Sequence, residues 1–192
     1  MKENVEMHRS VYSLGASDGF WVGLSMGVCI MCMVASYHHP WLGMIGLLLI
    51  IATPFMAWWF LRRAWVNARV PATFSAVWLH GICIFLFGGI IMALLMYVAL
   101  RFLEPGWIEN QTMLAAQRLA EDTQTVEQAK ILTKIVESGQ LPSPIYTAVS
   151  SIWLVAFTGS MWSMIFAFIL TRFRRYTRLR VEYVENKIEN GF

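Results

Sequence analysis

Residues 14–36 read LGASDGFWVGLSMGVCIMCMVAS, and this stretch decides the fold. At 1.5 Å per residue it makes a helix of about 34 Å, enough to cross a hydrocarbon core of roughly 30 Å. A single charged residue, Asp18, interrupts it. In lipid such a run must close its own backbone hydrogen bonds, which makes it a helix. Its apolar residues do not alternate, as those of a barrel strand would.

Three further stretches share this character. Trp41–Leu61 follows the short turn Tyr37-His38-His39-Pro40, and Phe74–Leu100 and Ile145–Leu170 come later in the chain. The composition agrees: of 192 residues, 57% are hydrophobic and 14% charged, with a mean hydropathy of +0.54. A soluble domain carries about 25% charged residues. A disordered chain, a disulfide scaffold and an ordinary soluble enzyme domain are therefore excluded. The expected fold is all-α: one integral membrane domain over residues 1–192, built as a four-helix transmembrane bundle.

Basic residues orient the bundle. Lys2, Arg9, Arg62, Arg63, Arg69, Arg172, Arg174, Arg175, Arg178, Arg180 and Lys187 fall on one side; Arg101, Arg118, Lys130 and Lys134 fall on the other. Eleven against four predicts that both termini are cytoplasmic. The apolar run Phe20–Ala35 is long and carries a glycine series, so the first span reads as a retained helix rather than a cleaved signal peptide. The net charge of +3 is concentrated in basic clusters beside the spans, so anionic lipid, not nucleic acid, is the expected electrostatic partner. The tail Arg172, Arg174, Arg175, Arg178 and Arg180 is expected to continue the last span as a helix and to hold headgroups.

Between spans three and four lies a polar extracytoplasmic insert, residues 104–144. A helix is expected over Trp107–Ala120, with Trp107 and Leu114 on one face and Ile108, Ala115 and Leu119 beside them. Thr125-Val-Glu-Gln128 matches a capping box and opens a second helix. In it Val126, Ala129, Ile131, Leu132, Ile135 and Val136 share an apolar face, and Ser138-Gly139 ends it. The insert reads as a helical hairpin. Its apolar faces either pack on each other, lie on the membrane boundary, or dock a partner.

Within span one, Gly15, Gly19, Gly23 and Gly27 recur every four residues. They make a stripe without side chains that admits close approach of another helix, in the same chain, in a second copy or in a partner. Asp18 and His80 are ionisable residues inside spans, where such groups are costly and warrant a functional hypothesis. Counted from the starts of their spans, they lie about 6 Å and about 9 Å deep, so they are expected to meet. They form a candidate polar pair, for proton coupling, ligand binding or a satisfied internal contact.

Other motifs carry less. Cys29-Ile-Met-Cys32 has the C-x-x-C spacing of four-helix disulfide oxidases, but those need a second extracytoplasmic cysteine pair, and the insert has no cysteine. Thiol chemistry at Cys29 and Cys32 is not expected, and neither is an enzymatic role. His38 and His39 are too few ligands for a metal site. No cofactor is implied. Thr53-Pro54 places a kink in span two. Trp41, Trp107 and Trp153 read as an outer aromatic belt, and Trp58, Trp59, Trp65 and Trp78 as an inner one.

The glycine-bearing first span, the step Phe102-Leu-Glu-Pro105-Gly-Trp after span three and the step Pro142-Ser-Pro144-Ile-Tyr-Thr-Ala into span four resemble a family of four-span membrane proteins common in Bacteroidota, domain of unknown function 4199. The similarity covers most of residues 14–175. It implies a bacterial inner-membrane location and supplies no activity or active residues. The basic tail and the two-cysteine first span depart from the family's pattern. The function expected from all of this is non-catalytic: an interaction or scaffold protein that self-associates through the glycine stripe or binds a membrane partner. The alternative is a small transporter or channel component using Asp18 and His80. Reporter fusions test the orientation: one after residue 192 should read as cytoplasmic and one near residue 122 as extracytoplasmic.

Overall fold

The computed structural model describes residues 11–66, 73–121 and 125–189, with side chains over 11–65, 73–121 and 125–172. Among the described residues six α-helices run in chain order: α1 Val11–Ala35, α2 Pro40–Val66, α3 Phe74–Val98, α4 Trp107–Ala120, α5 Val126–Glu137 and α6 Pro144–Glu189. A π-helical turn, Ala99–Leu103, extends α3. Four helices among the described residues are long and apolar enough to cross a membrane: Val11–Ala35, Pro40–Trp65, Phe74–Leu103 and Pro144–Arg172. The expected all-α four-span bundle is the observed one. Arg172 is exposed on α6. The side chains of Arg174, Arg175, Arg178, Arg180 and Lys187, and residues Lys2, Arg9 and Arg69, lie outside the described residues.

Local chemistry sets the helix boundaries. Pro40 opens α2, a position where its missing N–H costs nothing. Thr73 caps α3 from an extended backbone, its hydroxyl accepting the Ala76 N–H at 3.3 Å. Gly139, at φ 66°, closes α5: its own N–H donates to Val136 O at 3.1 Å and the Gln140 N–H to Ile135 O at 3.2 Å. The capping box at Thr125 does not form a side-chain cap. The Thr125 hydroxyl instead donates to the Leu119 carbonyl at 2.6 Å, tying the α4–α5 turn together.

α3 is the central helix, with α1 on one side and α6 on the other. α2 packs chiefly on α1 and touches α3 and α6 lightly. The four glycines of α1 all face α3. A Cβ on Gly15 would overlap Cys83, one on Gly19 would stand 2.8 Å from Ile84 O, one on Gly23 would overlap the Gly88 carbonyl, and one on Gly27 would overlap Leu95. α3 repeats the device toward α6, where Gly81 receives Ser163 and Gly159 of α6 receives the Phe85 ring. The stripe read from the sequence is thus covered by α3 of the same chain. The main core lies toward the end where α1 begins, called here the terminal end: Val22, Ala57, Leu61, Val77, Ile84, Phe85, Phe166, Ala167 and Leu170 are buried there.

At the opposite end, Val34, Ala99 and Leu100 form a second cluster covered by Trp107 and Ile108. It seats the base of the insert on the bundle. His38 Nε2 and Glu104 Oε2, 2.9 Å apart, join the α1–α2 turn to the end of α3. Beyond this base α4 and α5 pack on each other, through Ala116 and Ala129, the residues each buries. Of the apolar face expected for α4, Trp107 and Ile108 pack on the second cluster and Leu114 is 41% exposed, while Met113, Ala116 and Ala120 line the cleft between α4 and α5.

Replacing Gly23 by Ala should cost about 1–3 kcal/mol, because the new methyl group meets backbone that cannot rotate away. Gly43→Ala, whose Cβ would stand 3.4 Å from Ser36 Cβ, should be nearly neutral. Thermal unfolding in detergent compares the two.

Candidate functional site

The candidate site lies at the terminal end, where α1, α2 and α3 converge. Asp18 comes from the second turn of α1, within the Gly15–Gly19 step, so the same close approach that seats the glycines on α3 carries its carboxylate to α3. His80, on α3, is completely buried. Its Nε2 stands 3.2 Å from Asp18 Oδ2, and the Asp18 side chain keeps 19% of its surface exposed. The geometry departs from that of a hydrogen bond, since Nε2 has no hydrogen-bond partner among the described residues. The contact is therefore between a carboxylate and a ring dipole or ring charge held close.

The other ring nitrogen is firmly engaged. Trp65, from the last turn of α2, donates its indole N–H to His80 Nδ1 at 2.9 Å. An indole N–H can only donate, so Nδ1 must carry a lone pair. The neutral ring then has its proton on Nε2, facing Asp18. In this tautomer neither nitrogen offers a lone pair to a metal ion. Cys83, one turn along α3, is buried and packs at Gly15. No group of three or more His, Cys, Asp or Glu side chains suited to a metal ion occurs among the described residues.

The structure thus brings Asp18 and His80 together and adds a third member. Trp65 reads from sequence as a belt residue, and nothing in residues 58–65 distinguishes it from Trp59. Three of the four inner tryptophans turn inward. Trp65 bonds His80, Trp78 Nε1 donates to Ser160 O at 3.3 Å, and the Trp58 ring lies 5.5 Å from that of Phe166. Trp59 faces outward with the Arg63 guanidinium 5.4 Å over its ring, a contact suited to the membrane boundary.

The remaining candidates do not join the site. Cys29 is buried further along α1, toward the hairpin end, its thiol donating to Gly46 O at 3.2 Å on α2. Cys32 is half-buried and, like Cys29, a free thiol. His38 pairs with Glu104 at the hairpin end. Within α2, the Thr53 hydroxyl bonds Leu49 O at 2.9 Å beside Pro54, and the helix runs on past the proline.

A family model described as "Protein of unknown function (DUF4199)" matches residues 18–172. The chain belongs to the DUF4199 family. In this DUF4199 member the matched region opens at Asp18 and closes at Arg172, so it contains the whole Asp18–His80–Trp65 cluster, the first membrane-length helix from Asp18 onward and the other three in full, and it leaves out the basic residues beyond Arg172. No curated protein and no solved structure matches the chain.

Trp65→Phe removes the donor and leaves His80 Nδ1 buried without a partner, which should destabilise the bundle by about 1–3 kcal/mol. Trp59→Phe, at an exposed position, should stay within about 0.5 kcal/mol of the parent. Unfolding midpoints of the two variants in the same detergent make the comparison.

Proposed function

We propose that this DUF4199 protein is a non-catalytic membrane interaction or scaffold protein of the bacterial inner membrane, with both termini cytoplasmic. The observation that carries the reading is the closed seam between α1 and α3. Gly19 and Gly23 lie against the Ile84–Gly88 backbone too closely for a methyl group, which leaves no room for a polar route between these helices along the stripe. Because α3 of the same chain fills the stripe, association falls to other surfaces. The foremost is the α4–α5 hairpin, seated on the bundle by Trp107 and Ile108 and presenting Leu114 and Ile131, the latter 58% exposed. The burial of Cys29 against Gly46 supports a structural role for the C-x-x-C pair. The excess of Lys and Arg at the terminal end supports the orientation and a contact of the α6 extension with anionic lipid.

A second reading, a small transporter or channel component, is favoured by one observation: Asp18 and His80 form a close pair of ionisable groups inside spans, and the carboxylate keeps an exposed edge. Native mass spectrometry of the protein released from its own membrane in mild detergent separates the two. A second protein at fixed stoichiometry, or a fixed number of copies, is the expected result. A bare monomer retaining a small molecule would overturn it in favour of the transporter.

A further inference from the structure

We propose that His80 is a proton-binding site at which a second ring proton and the Trp65 hydrogen bond exclude each other, so that acidification frees the terminal end of α2 from α3. The bond from Trp65 Nε1 to His80 Nδ1 requires a lone pair on Nδ1. A second proton would set two N–H groups against each other there, and the indole must withdraw. Asp18 makes the charged ring tolerable, because its carboxylate lies 3.2 Å from Nε2 where the imidazolium would otherwise be buried alone. The Asp18 side chain keeps 19% of its surface exposed, and this edge is the side from which a proton would reach the pair.

α2 is the element built to respond. It leans on α1 and touches α3 and α6 lightly, and Trp65 is its next-to-last residue. The charged or titratable groups that the surrounding helices bring to this end are few among the described residues. α1 brings exposed Tyr12 besides Asp18, α2 brings exposed Arg62 and Arg63, α3 brings buried Cys83, and α6 brings exposed Arg172. Asp18 is the one that pairs with the ring. The sign is fixed by the geometry: only the released form accepts the second proton, so lowering the pH favours release. The device operates whether the protein scaffolds or transports.

The test uses the full-length protein in lipid nanodiscs with nitrogen-labelled histidine and tryptophan, followed by NMR from about pH 8 to about pH 5, where imidazole titrates. His80→Gln assigns the His80 signals, and Trp65→Phe those of the indole. At the alkaline end His80 should show an unprotonated, hydrogen-bonded Nδ1. On acidification both ring nitrogens should become protonated in step with a shift of the Trp65 indole N–H. An Nδ1-protonated ring at pH 8, a charged ring with the indole signal unmoved, or a ring that stays neutral across the whole range would each overturn the proposal. Hydrogen exchange over residues 58–66, corrected for intrinsic rates, gives a second readout. It should rise several-fold on acidification in the parent and stay flat in His80→Gln, whose amide oxygen accepts the indole N–H but takes no proton. Should that variant fail to fold, Trp65→Phe replaces it: fast exchange at both ends of the range is expected, and an acid-dependent rise as large as the parent's would sink the idea.

Discussion

The close approach of α1 to α3 is the constraint on which the rest of the structure depends. In lipid the hydrophobic effect does not drive helices together, because lipid tails are as apolar as leucine. Association rests on van der Waals contact, which grows as the backbones come closer. Gly15, Gly19, Gly23 and Gly27 remove every side chain from one stripe of α1, and Cys83, Ile84, Gly88 and Leu95 of α3 fill the space. α6 meets the other side of α3 by a related device, with Gly81 and Gly159 each receiving a side chain from across the contact. α3, with glycines facing both neighbours, becomes the axis of the bundle.

The polar cluster follows from that approach. Asp18 sits between the first two glycines of the stripe, so the register that seats Gly15 at Cys83 and Gly19 at Ile84 also delivers the carboxylate to His80. An unpaired histidine at this depth would be costly. Here one ring nitrogen is held by the Trp65 indole and the other faces a carboxylate. The same three residues join α1, α2 and α3, and Trp65 supplies a directional polar contact between α2 and the central helix. A polar pair that satisfies the fold is therefore also a place where a proton can alter it.

The opposite end obeys different rules. There the chain leaves the apolar run through a π-turn, which places Glu104 against His38 and brings Trp107 onto Val34 and Leu100. The base of the insert is fixed to the bundle, and the hairpin beyond it rests on the Ala116–Ala129 contact. The hairpin thus rests on few contacts with its own chain, whereas the glycine stripe is already filled by α3.

Much of the fold was legible in residues alone, because lipid leaves an apolar run of spanning length no alternative to a helix. The four spans, the α4 limits at Trp107 and Ala120, the end of α5 at Gly139 and the meeting of Asp18 with His80 all follow from length, capping chemistry and depth. What sequence could not supply was direction around each helix. Trp58, Trp59 and Trp65 are chemically alike, and only packing turns two of them inward and sends the third toward the boundary. Leu114 lies on the apolar face expected for α4, yet it is exposed, and Ala116 is the residue that α4 buries. The partner of the glycine stripe was equally undetermined, since a smooth stripe accepts any helix and only the tertiary arrangement assigns it to α3. Sequence by itself determined which segments are helices and how deep their polar residues lie, since these depend on hydropathy and length along one chain. The tertiary structure alone decided which faces meet, because that depends on the fit between surfaces far apart in sequence.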